Sequence, residues 1–288
     1  MLENNLQPTY KRQRFLLSFV RQLQGGVNST DLQKLIFLYT MNENLRFYEF
    51  IPYKFGSYSF QLAEDIDILG KGGYLLIDGS RIQAIGEYPY ESLFPIASER
   101  GDSLIRKAYR EYPYYAINSE IISRLFNSEE AENFKCVKNN YAKTAQELFA
   151  IGYEGKSIEA FMNILIQNDI RLLCDVRKNP ISRKFGFSKN RLEHITEAIG
   201  IKYIHLPNLG IESDKRISLE TAEDYHRLFI EYKRTLSSLK PSLEQLYLLL
   251  RSNIRITLMC YEKEPEMCHR HVIRDYLTDT YEIRSIDL

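Results

Sequence analysis

The feature that most constrains the fold is an alternation in the second half of the chain. From residue 147 to 288, short apolar runs take turns with amphipathic helical patterns. "ELFAIG", "IRLLCDV", "IKYIHL" and "IRITLMC" are too short for helices and read as buried strands. After the first of them, Ile158, Phe161, Met162, Leu165 and Ile166 recur at helical spacing. "SKNRLEHITEAIG" predicts a helix capped by Ser188 and closed by Gly200, and further helices are expected over 219–239, 242–252 and "CHRHVIRDYL". "YEIRSI" is a last short strand. This order predicts an α/β, Rossmann-like domain over 147–288, with a mostly parallel sheet and helices on both faces.

The first half reads differently. Phe15, Leu16, Phe19, Val20 and Leu23 mark one helix, stopped by Gly25 and Gly26. "STDLQKLIFLY" marks a second, and "SFQLAEDIDILGKGG" a third. "YLLIDGSRIQAIG" is two strands turning at Asp78-Gly79. Helices followed by a two-stranded ribbon predict a small helical, winged-helix-like domain over 1–90. Its third helix carries Glu64, Asp65 and Asp67, with no Lys or Arg before Lys71, which opposes contact with phosphates. Residues 91–146 are expected to be a helical connector, broken at Pro113 and polar toward its end. No apolar run reaches the roughly 18 residues of a membrane span, and the N-terminus lacks the apolar core of a signal peptide. A cytoplasmic protein without membrane association is expected, its four cysteines thiols.

In a parallel α/β sheet, ligands bind beyond the carboxyl ends of the strands. That rule selects the loops "YEGKS", "DVRKNPISRKF", "HLPNLG" and "CYEKEPEMCHR". The chain has formal net charge zero, so attraction for an anionic partner must come from local patches. The second loop supplies one: Arg177, Lys178, Arg183, Lys184, Lys189 and Arg191 follow Asp175 with no further acid among them. Arg177 is close enough to the strand to enter the crevice, and Phe185 and Phe187 have rings that stack on bases. "GYEGKS" is a glycine-flanked turn opening a helix, whose amides, with Lys156, suit an anion, although it is not a Walker loop. Glu154 has two readings, a catalytic base or the partner of Arg177.

In the last loop Cys260 ends a strand and Arg270 opens a helix, an arrangement similar to the anion cradles of thiol phosphatases and rhodaneses. The loop is longer than C-x5-R, and Glu262, Glu264 and Glu266 oppose a thiolate. Cys260, Cys268 and His269 are ligand types, and His205 is within possible reach. The C-x7-C-H spacing departs from the paired C-x2-C of structural zinc, so no metal or cofactor is expected. His269, beside Arg270, suits general acid–base work.

"IGYEGKSIEAF", "LLCDVRKNPISRKFGFSKNRL", "IKYIHLPNLGI" and "LMCYEKEPEMCHRHVI" together resemble the domain of unknown function four-eight-eight family, over roughly 148–280. The resemblance implies an α/β fold, no settled activity, and characteristic positions at Tyr153, Glu154, Gly155, Asp175, Arg177, Pro180, His205, Pro207, Gly210, Cys260, Glu262, Cys268, His269 and Arg270. "LQKLIFLY" and "FIPYKFGSYSFQLAEDIDILGKGGYL" resemble the Panacea (SocA-like) domain of antitoxins and mobile-element proteins, which implies partner binding or regulation.

These readings converge on an enzyme directed at nucleic acid or a nucleotide, working by hydrolysis or base removal in a phage-defence or toxin–antitoxin setting. Glu154, Asp175, His269 and Cys260 form the catalytic set. Tyr153, Gly155, Lys156, Arg177, Arg183, His205, Glu262, Cys268 and Arg270 hold the ligand, and residues 1–90 recruit a protein partner or DNA. The rivals are a non-catalytic sensor of nucleotide or modified DNA, and rhodanese-like thiol chemistry at Cys260.

Overall fold

The computed structural model describes residues 8–86, 93–216 and 219–288; residues 1–7 and the boundary expected at 90/91 lie outside them. The chain divides into two compact units, Met1–Asn140 and Tyr141–Leu288.

The first unit contains helices α1 (Lys11–Gln22), α2 (Ser29–Glu43), α3 (Phe60–Lys71), α4 (Gly101–Glu111), α5 (Ile122–Leu125) and α6 (Ser128–Asn139). Its strands are β1 (Val27–Asn28), β2 (Ile51–Tyr53), β3 (Gly56–Tyr58), β4 (Leu75–Asp78) and β5 (Arg81–Ala84). The expected ribbon is present as β4–β5, with Asp78 opposite Arg81 across the turn. The plain order of helices and then a ribbon is not what the unit shows. It is mixed α/β, with one small antiparallel sheet in the order β1-β5-β4 and a separate hairpin, β2–β3, between α2 and α3. Both additions are built from strands of two or three residues, too short to leave a periodic signal. The helices expected as a connector add Leu104, Ile105, Ala108, Tyr109 and Phe134 to the same core as α1 and α2. With no tryptophan in the chain, phenylalanine and tyrosine carry this packing. Phe15 stacks on Phe47 at 4.6 Å and meets Phe94 edge-on at 5.2 Å. Asp65 of the acidic α3 points inward, where it takes hydrogen bonds from Arg12, Gln13 and Tyr48.

The second unit is an α/β domain. Its strands are β6 (Glu147–Gly152), β7 (Leu172–Asp175), β8 (Lys202–His205), β9 (Arg255–Cys260) and β10 (Ser285–Asp287). They form one five-stranded sheet in the order β10-β6-β9-β7-β8, parallel throughout. The helices are α7 (Ile158–Gln167), α8 (Lys189–Ala198), α9 (Ala222–Thr235), α10 (Lys240–Asn253) and α11 (Arg270–Tyr281). Every residue of β6, β7 and β9 is buried, as a parallel sheet covered on both faces requires. One face packs Leu148, Ala150, Leu172, Ile256 and Leu258 against Leu228, Phe229, Leu243, Leu246 and Ile273 from α9, α10 and α11. No described helix is long and apolar enough to cross a membrane.

One buried charge in the first unit has a measurable signature. Lys34 in α2 is 2% exposed, and its ammonium donates to the Ser57 carbonyl at 2.6 Å. Burial lowers its pKa from 10.5 to about 7, against the opposing pull of Asp31. Between these values the unfolded chain binds a proton that the folded chain rejects, so stability rises with pH. We expect the urea-unfolding free energy to climb more steeply from pH 7 to pH 9 in the native sequence than in Lys34→Met. The excess is at most about 1.4 kcal/mol per pH unit. Parallel pH profiles for the two proteins would show that this ammonium is not held away from water.

Candidate functional site

β9 is inserted between β6 and β7, so the chain leaves β6 through α7 toward one edge of the sheet and leaves β9 through α11 toward the other. Adjacent strands whose connections diverge make a switch point, where an open α/β sheet leaves a crevice at its carboxyl edge. Gly152 and Cys260 pair across this point, so both strands end at one level. The loops beyond them are joined. The Tyr153 and Glu154 amides donate to the carbonyls of Cys260 and Tyr261, and the Lys263 amide donates to the Glu154 carboxylate at 3.0 Å. The contact is close: a Cβ on Gly152 would lie 1.7 Å from the Glu262 carbonyl oxygen. Gly155, at φ +76°, makes the turn into α7, whose N-terminus is capped by the Ser157 hydroxyl, which accepts from the Ala160 amide.

Cations gather over this edge. The Lys156 ammonium donates to the Gly152 carbonyl at 2.9 Å and the Lys184 ammonium to the neighbouring Tyr153 carbonyl at 3.2 Å. Two positive charges are thus fixed on successive carbonyls at the end of one strand. Burial lowers the Lys156 pKa, and Arg270, Lys263 and Lys184 lower it further. Burial likewise lowers that of Lys184, with Glu154 opposing. Glu154 is exposed and bonded to the Lys263 amide, and its described contacts do not include Arg177.

The predicted arginines are engaged differently. Arg177 is buried, and its guanidinium donates to both oxygens of Asp175, to the Tyr153 hydroxyl and to the Phe187 carbonyl. Burial works to lower its pKa, but the hydrogen bond and charge of Asp175 outweigh burial and raise it. Asp175 also accepts from the Tyr203 hydroxyl at 2.8 Å, and His205 bonds the Arg177 carbonyl at 2.9 Å. Arg270 is buried too, with its two terminal nitrogens on the carbonyls of Glu262 and Lys263. Phe187 stacks on Tyr153 at 4.3 Å and is fully buried, so its ring anchors the loop and is closed to a base. Phe185 is half-buried under the Arg191 guanidinium, and Arg183 is exposed.

Cys260, Cys268 and His269 come together, all buried, with ligand atoms within 4.8 Å of one another. Burial pushes the Cys268 thiol well up. Glu262 pairs with Arg216, which lowers its carboxyl pKa against the raising effect of burial. Sequence reasoning passed over Tyr203, Arg216 and Lys263. The carboxyl-edge rule applied to every cation of the last loop selects Lys263; nothing local marks the other two.

A five-stranded parallel sheet with helices against it defines an α/β domain. Residues 157–277 match the family described as Domain of unknown function DUF488, so the second unit carries that domain. The matched span begins just after the "GYEGK" turn. Neither the curated proteins nor the solved structures gave a match.

The Gly152–Glu262 contact allows a direct test. We expect Gly152→Ala to force the loops after β6 and β9 apart and to lower the unfolding free energy measured in urea by about 2–4 kcal/mol, as overpacking against backbone does. Gly155→Ala has open space and meets only the strain of a positive φ, about 1 kcal/mol. Equal costs for the two would contradict the close approach.

Proposed function

We propose that the second unit binds a phosphate-bearing ligand, a nucleotide or a nucleic-acid strand, over the carboxyl ends of β6 and β9. The carrying observation is the pair of ammoniums, Lys156 and Lys184, bonded to successive strand-end carbonyls beside Lys263. Like charges held together raise the energy of the unliganded site, and an anion relieves it. The exposed Arg183 and Arg191 extend the track outward. Arg177 and Arg270 position the loops that carry the lysines and leave the anion to them. Of the expected catalytic groups, Glu154 alone is exposed, so it is the acid–base candidate for hydrolysis or base removal. Cys260, buried at 1% exposure, is poorly placed as a nucleophile.

A sensor without turnover is the second reading. It is favoured by the full engagement of Asp175 and the burial of His269, which leave few groups to move protons. The winged-helix-like and Panacea-like readings of the first unit supply a partner-recruiting role in a defence or toxin–antitoxin setting. The first rests on the β4–β5 ribbon that follows α3, with the β2–β3 hairpin between α2 and α3 as a departure from the simple order, and the second on the sequence resemblance alone.

Titration with single-stranded and duplex oligonucleotides and with a nucleoside triphosphate, at two salt concentrations, tests the binding. We expect affinity to fall steeply with salt, and the double variant Lys156→Ala/Lys184→Ala to flatten the log–log slope by about 1–2. No binding of any of the three at low salt would remove the reading. Where the native protein releases phosphate or free base, Glu154→Gln ends turnover and keeps binding if Glu154 is the base; binding without release in the native protein favours the sensor.

A further inference from the structure

The buried cluster at the end of β9 is independent of the phosphate reading. Cys260 closes the strand, and a short 3-10 turn at Pro265–Met267 folds the chain back so that Cys268 and His269 face it. The three are 1%, 0% and 1% exposed. The His269 ring is oriented: Nε2 lies 3.0 Å from the Val176 carbonyl, which can only accept, so Nε2 carries the proton. Nδ1 therefore turns a lone pair toward the Cys260 sulfur, 3.8 Å away. From the other side, the Glu262 Oε2 lies 3.5 Å from the same sulfur. Its other oxygen is held by Arg216.

We propose that Cys260, Cys268 and His269, whose ligand atoms lie within 4.8 Å of one another, form a structural zinc site whose fourth position Glu262 closes when the metal enters. A tetrahedral zinc about 2.3 Å from sulfur and about 2.0–2.2 Å from nitrogen or oxygen sets neighbouring donors about 3.6 Å apart. The sulfur–nitrogen and sulfur–oxygen separations of 3.8 and 3.5 Å bracket that value. Two thiolates and an imidazole are the soft-to-borderline donors that select zinc over magnesium or calcium. The charges also close. Zn²⁺ with two thiolates, a carboxylate and neutral imidazole leaves one negative charge, which Arg216 neutralises. Binding displaces two thiol protons to solvent, with no redox change. The Val176 carbonyl on His269 and the Arg216 guanidinium on Glu262 are the outer partners that fix ligand orientation. Three buried donors, with the partly exposed Glu262 as the fourth, make the site a clamp tying the end of β9 to the start of α11 and to the loop after β7.

The full chain, purified under reducing conditions without chelator, is analysed for metal and then titrated with Co²⁺ after zinc removal. We expect about one zinc per chain and, with cobalt, a thiolate-to-metal charge-transfer band together with intense tetrahedral d–d bands. Cys268→Ser and His269→Ala lose the metal, while Cys136→Ser, an exposed cysteine of the first unit, retains it. If those variants fail to fold, the cobalt spectrum of the unaltered chain decides. A reduced chain holding less than about a tenth of an equivalent of zinc, with no charge-transfer band on adding Co²⁺, overturns the proposal. So does a Cys260–Cys268 disulfide in the freshly isolated protein. Oligonucleotide binding is measured separately, so failure of one reading leaves the other standing.

Discussion

The rim of the second unit depends on a buried ion pair two residues apart, Asp175 with Arg177. Removing a carboxylate and a guanidinium from water costs several kcal/mol per ion, and the pair holds only where the remaining donors and acceptors are also met. Here they are met by Tyr203, Tyr153 and the Phe187 carbonyl. The same three-residue turn ties down its neighbours. The Val176 amide donates to the Met259 carbonyl, the Val176 carbonyl meets His269, and the Arg177 carbonyl meets His205. The loops after β7, β8 and β9 are thus referenced to one short segment whose conformation the ion pair fixes.

That constraint explains a division of labour between the two kinds of cation. The arginines nearest the crevice are used inward. A guanidinium presents five donors in a rigid fork: in Arg177 they meet the Asp175 carboxylate, the Phe187 carbonyl and the Tyr153 hydroxyl of the neighbouring loop, and in Arg270 two of them hold the successive carbonyls of Glu262 and Lys263. The lysines remain as point charges on flexible stems, each spending one hydrogen bond on a strand-end carbonyl and keeping the rest of its donors. The positive field at the switch point is therefore a lysine field on an arginine scaffold. Residue type alone, with both counted as positive, conceals this.

Much of the second unit was legible because its signals are local. Apolar runs of four to six residues with glycine or polar ends specify buried strands, and the carboxyl-edge rule then selects the loops before any geometry is known. The insertion of β9 between β6 and β7 was not legible, because strand order is set by helix packing across the sheet and leaves no mark in any one segment. Nor was the inward use of Asp175 and Arg177: in sequence they look like a charged loop, and only the covering of β7 on both faces makes them interior. The gathering of Cys260, Cys268 and His269 was not legible for a related reason. Distance along the chain overstates distance in space when a 3-10 turn folds the segment back, as it does at 265–267. In the first unit, β1, β2 and β3 span two or three residues, below the length at which alternation can be detected.

A chain of formal net charge zero can still present a strong local field, and the reason is range. Charges separated by more than about 8–10 Å of water are screened at ordinary ionic strength, while those packed within a few ångströms at a half-buried edge are not. Lys156 and Lys184 belong to the second class, since they sit on consecutive carbonyls and both lose hydration. The balancing acids of the chain belong largely to the first, except Glu154, which lies close enough to act on Lys184, and Glu264, which acts on Lys156 and pairs with Lys263. Glu154 is in turn held by the Lys263 amide, so its charge is partly committed to joining the loops after β6 and β9. The local balance at the switch point therefore sets Lys156, Lys184, Lys263 and Arg270 against Glu154 and Glu264, and it stays positive even though the chain as a whole is neutral.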